Sequence, residues 1–96
     1  MHGVIRTYSG QGARELFDLL EASKSEVEEK LRKTKGFVSY TLLRSPDGGS
    51  TLTVCRDKAG TEESSATARE WIASNASSIK VGPPQVTEGS VIIHAT

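Results

Sequence analysis

A chain of 96 residues makes a single domain, residues 1–96. At this size roughly 60 to 65% of the unfolded surface is buried on folding, so a partner subunit would add to a thin stability margin. Twelve Lys and Arg offset twelve Asp and Glu with neither sign gathered into a block, which argues against nucleic acid or an anionic membrane as partner.

The single cysteine, Cys55, rules out an internal disulfide, and no run approaches the roughly 20 apolar residues of a membrane span. The stretch Met1-His2-Gly3-Val4-Ile5-Arg6 lacks the apolar core of a secretory signal, so a cytoplasmic protein is the expectation. Val4 to Tyr8 is rich in β formers and runs into Ser9-Gly10-Gln11-Gly12, whose glycines suit a tight strand-to-helix turn. From Ala13 to Lys33, Leu16, Leu20, Val27 and Leu31 recur at helical spacing with Phe17 beside them, predicting one amphipathic helix of about five turns. Basic Arg32, Lys33 and Lys35, followed by Gly36, suit its C-terminal end.

Phe37 to Arg44 and Ser50 to Arg56 alternate as strands around the turn signal Ser45-Pro46-Asp47-Gly48-Gly49, which predicts a hairpin. Thr61 is the expected N-cap of a second helix, with Glu62 and Glu63 in its first turn. Ala68, Ile72, Ala76 and Ile79 keep helical spacing, Trp71 lies alongside, and Gly82-Pro83-Pro84 must follow the helix. Gln85 to Ala95, with the apolar run Val91-Ile92-Ile93, reads as a last strand with a kink at Gly89.

The period therefore switches in the order strand, helix, strand, strand, helix, strand. Right-handed crossovers then give an α+β, ferredoxin-like β-α-β-β-α-β arrangement: one antiparallel sheet with two helices on one face. On the uncovered face Val4 or Ile5, Phe37 or Val38, and Ile92 or Ile93 must point outward. An apolar open face on a small protein predicts a homodimer closed sheet against sheet.

The Gly36-Phe37-Val38-Ser39-Tyr40 entry, the Arg56-Asp57-Lys58-Ala59-Gly60 exit and the Ala68-Arg69-Glu70-Trp71-Ile72 segment resemble the dimeric α+β barrel superfamily, in particular proteins related to antibiotic biosynthesis monooxygenases. That resemblance implies cofactor-independent oxidation of a polycyclic phenol, or haem breakdown, in a pocket between sheet and helices of each subunit. Such activities lean on an asparagine, a tryptophan and, for haem, a histidine ligand. Trp71 is a rough positional match to the tryptophan. The first strand carries Arg6 and Tyr8 instead of an asparagine, the sole asparagine is Asn75, and no histidine follows Trp71 until His94. Haem degradation is therefore not expected.

Six side chains are candidates for a ligand site. Trp71 can stack a flat aromatic ligand and orient it through the indole N–H, or serve as core beside Ile72. Arg6, Tyr8, Tyr40 and Arg56 lie on strands; pointing inward they would bind an anionic or phenolic ligand, pointing outward they are ordinary β formers and solvated charges. His94 has the chemistry of a general base but sits near the end of the chain. Cys55 reads as a small buried hydrophobe. The glycine pairs match no phosphate-binding fingerprint, and no His, Cys and carboxylate set has metal-ligand spacing, so neither a metal nor a cofactor is expected. Two functions stay open: a cofactor-independent monooxygenase-like enzyme acting on a flat, quinol-like molecule, and a non-catalytic small-molecule binding or dimerisation module.

Overall fold

The computed structural model describes residues 1–96. Its elements follow in the order β1 (His2–Tyr8), α1 (Ala13–Ala22), α2 (Lys24–Arg32), β2 (Phe37–Ser45), β3 (Gly48–Cys55), α3 (Lys58–Asn75) and β4 (Gln85–Ser90). The strands form one sheet in the order β2-β3-β1-β4, every neighbouring pair antiparallel. This is the ferredoxin-like order that the alternating periods imply.

The predicted apolar stripe is buried as expected: Leu16, Phe17 and Leu20 on α1, Val27 and Leu31 on α2. The single long helix is not. It breaks at Ser23, which leaves helical geometry at φ −107° while its N–H still donates to the carbonyls of Leu19 and Leu20. Ser23 makes no side-chain cap bond at this break, and the two halves of the stripe still lie on the sheet, α1 against β3 and α2 against β2. Gly12, before α1, has φ +82°, and a Cβ there would strike the Lys80 carbonyl. Gly49 is bare for another reason: the Phe17 ring lies where its Cβ would be.

Three other expectations are corrected. The helix after the hairpin starts three residues before Thr61, because Asp57 is its N-cap and accepts the Gly60 N–H at 3.2 Å. It ends at Asn75, so Ala76 and Ile79 pack on the core from the following loop. The last strand ends at Ser90, its final rung with His2, and pairs through Gly89 opposite Gly3 without a kink. Beyond it Val91 has only the Met1 carbonyl to bond, at 3.0 Å. The chain then crosses the open face of the sheet: Val91 packs against Gly3, and His94 Nε2 lies 3.1 Å from Ser39 Oγ.

Alternation on β1 sends Val4, Arg6 and Tyr8 toward the helices and Ile5 and Thr7 to the open face. Leu43 and Leu52 join Ile5 there, partly exposed, and Ile92 and Ile93 project from the crossing segment at 94% and 83% exposure. Phe37 turns inward against the core, next to a bulge in β2 between Phe37 and Ser39. No helix is long and apolar enough to cross a membrane.

Candidate ligand-binding site

The helices cover β2, β3 and β1 but leave β4 bare; all six of its residues are exposed. A cleft results, of about 850 Å³, floored by Val4, Arg6 and Tyr8 of β1 and Val86 and Glu88 of β4. Register explains the grouping, since Arg6 pairs with Val86 and Val4 with Glu88, which puts these side chains on one face. The wall is the face of α3 carrying Thr61, Ser65, Ala68, Arg69 and Ile72, residues one, two and three turns apart. The small side chains among them, Thr61, Ser65 and Ala68, leave the space open, and the Val81–Pro84 loop closes one end.

Below the cleft lies a second space of about 30 Å³, room for about one water. Tyr40, Thr51 and Trp71 line it, and Arg6, Tyr8, Ala68 and Ile72 are common to both spaces.

Arg6 dominates the electrostatics. It is 4% exposed, and only Nη1 has a partner, donating to Ser65 Oγ at 2.8 Å. Nε and Nη2 are sealed from solvent and unpaired, and no carboxylate forms an ion pair with the guanidinium. Two phenols flank it. Burial pushes Tyr40 up to about 12 and raises Tyr8 as well, the Arg6 charge opposing burial in both cases. Arg69 adds a second positive charge near Tyr8. At the rim His2 Nδ1 lies 2.7 Å from Thr61 Oγ1, and His2 Nε2 3.6 Å from a Glu88 carboxylate oxygen.

The six candidates thus separate. Arg6 and Tyr8 line both spaces, Tyr40 and Trp71 the inner one only. The Trp71 indole N–H donates to Glu26, and its ring belongs to the core cluster. Arg56 is exposed just past β3, where its N–H donates to the Gly36 carbonyl at 2.8 Å, and His94 is on the opposite face of the sheet. Asn75 is occupied at the end of α3, donating to the Trp71 carbonyl at 3.0 Å. Cys55 is buried, its thiol raised by desolvation. No three His, Cys, Asp or Glu side chains are grouped to hold a metal ion. Ser65, Arg69 and Glu88 were not singled out from sequence; the row of small residues Thr61, Ser64, Ser65 and Ala68 at helical spacing was the available sign.

No family model and no curated protein matches the chain. Solved structures do. A protein of unknown function from Nitrosomonas europaea superposes with a TM-score of 0.71 at 17% identity, covering 99% of this chain and 91% of that one. The ActVA-Orf6 monooxygenase of Streptomyces coelicolor, in complex with nanaomycin D, gives 0.67 at 19%, covering 99% and 90%. A dimeric ferredoxin-like protein from an uncultured marine organism gives 0.64 at 11%, covering 99% and 95%. At these identities the likeness is one of fold, and the fold is the α+β, ferredoxin-like one that the sequence resemblance implied.

Proposed function

We propose that the cleft between α3 and the sheet binds a flat aromatic small molecule and oxidises it with O₂ without a cofactor, as a monooxygenase-like enzyme would. The observation that carries the reading is the cleft itself: about 850 Å³, walled by apolar and small side chains, with one buried guanidinium and a phenol in its floor. A similarly folded monooxygenase in complex with nanaomycin D supports it. In this reading Arg6 and Tyr8, in the floor of the cleft, orient the oxygens of the ligand. Tyr40 and Trp71 shape the space beneath; Arg56 and His94, remote from the cleft, take no part.

Anthrone tests the chemistry, because its CH₂ becomes C=O while the second oxygen atom of O₂ leaves as water. Protein-dependent oxygen uptake with one anthraquinone formed per O₂ is the expected result. The second reading, a binding module without turnover, is favoured by one specific fact: neither Asn75 nor His94 reaches the cleft. Ligand-induced shifts in the cleft with no oxygen uptake would select it.

The working unit in this proposal is a cytoplasmic homodimer. Ile5, Leu43, Leu52, Ile92 and Ile93 leave an apolar surface that a second sheet would cover, and the dimeric ferredoxin-like neighbour supports this.

A further inference from the structure

We propose that the ligand of this cleft carries a carboxylate, and that Arg6 holds it through the Nε–Nη2 edge of its guanidinium with the Thr51 hydroxyl beside it. This rests on the reading of the cleft as a small-molecule site and narrows its ligand to an aromatic acid.

The Arg6 guanidinium lacks a counter-charge. A guanidinium stays protonated whatever its surroundings, and burying one unpaired is costly. Arg6 is buried, yet no carboxylate of the chain pairs with it. The two phenols do not supply the charge either, since both keep their protons well above neutrality. The carboxylates that line the cleft have neighbours of their own: Glu62 lies 4.0 Å from Lys58, Glu88 3.6 Å from the His2 ring. Arg69 has no carboxylate partner and adds to the positive field.

The shape of the vacancy specifies the ligand group. Ser65 occupies Nη1 and so fixes the plane of the guanidinium, leaving Nε–H and the adjacent Nη2–H free on one edge. Those two parallel donors match the two oxygens of a single carboxylate; one phenolic oxygen would satisfy only one of them. Thr51 stands directly across the β1–β3 pair from Arg6, and its Oγ1 is also buried without a partner. Arg6 and Thr51 both line the inner space, so these three unpaired polar atoms belong to residues around one small cavity. The inner space is too small for more than the tip of a ligand. Arg6, Tyr8, Ala68 and Ile72 line both spaces, so the inner one adjoins the cleft from which the acid would enter.

Titration of the ¹⁵N-labelled protein with 2-naphthoate and with neutral 2-naphthol tests the proposal. The expected result is that 2-naphthoate shifts amides of β1, β4 and α3 and binds at least about tenfold more tightly than 2-naphthol. Arg6→Gln should abolish that preference, and Arg6→Lys, which keeps the charge but not the fork, should restore only part of it. The ligand-free Arg6→Gln protein should melt no lower than the native one, because an unpaired buried charge has been removed. Equal affinity for acid and naphthol, unchanged by Arg6→Gln, overturns the acid while leaving the cleft as a small-molecule site. Shifts with neither probe, or only outside the cleft, overturn both. A melting point of Arg6→Gln well below native shows that the guanidinium is structural and likewise overturns the proposal.

Discussion

Arg6 and Tyr8 share a strand and differ by two positions, so pleating commits them to the same face; an inward Arg6 brings Tyr8 with it. That much was legible in the sequence. Which face they take depends on where the helices pack, and Arg56 shows the difference, since it lies one residue past the end of β3 and stays in water. The sequence left Trp71 open between stacking a ligand and packing as core beside Ile72, and its bond to Glu26, which joins two helices, has no local sign. Tyr40 yields a pH prediction. In the unfolded chain its phenol ionises near 10.0, whereas in the fold it keeps its proton up to about 12. The folded state binds that proton more tightly, so the contribution is fully present below pH 10 and is lost as the pH rises toward 12, by on the order of 2 kcal/mol. Urea midpoints measured across this range should fall less steeply in Tyr40→Phe than in the native protein, and equal slopes would contradict the assignment.

The helical stripe from Leu16 to Leu31 survives the break at Ser23 because burial is decided by spacing and not by helix continuity. Leu20, the last buried leucine before that break, packs within the core cluster. Leu20→Ala should cost about 2 to 4 kcal/mol in chemical denaturation, through lost burial plus the cavity left behind; a loss under about 0.5 kcal/mol would mean that the stripe does not carry the core. The last strand failed differently. Val91-Ile92-Ile93 has the composition of a strand, but a strand needs a neighbour, and the ladder with β1 ends at His2 opposite Ser90. Similarly, Thr61 is an accepted cap by type, but Asp57 ranks above it and its carboxylate reaches the Gly60 N–H.

At the scale of the whole molecule, one sheet has two unlike faces. One carries the helices and the cleft; the other carries the crossing segment with Ile92 and Ile93 almost fully exposed. If that face closes a dimer as proposed, Ile93→Asp should shift the sedimentation coefficient from dimer to monomer at micromolar concentration while far-ultraviolet circular dichroism stays native. A native protein that already sediments as a monomer would refute the dimer. The sequence by itself determined the order of strands and helical segments, because hydrophobic period, glycine and proline act over a few residues; it did not determine helix continuity at Ser23 or the fate of Val91-Ile92-Ile93. Only the tertiary structure decided that β4 stays uncovered, that the end of the chain folds across the open face, and that Arg6 is left with an unpaired edge. Those outcomes depend on strand parity and on where α3 comes to rest, which are set by packing among residues far apart in the chain.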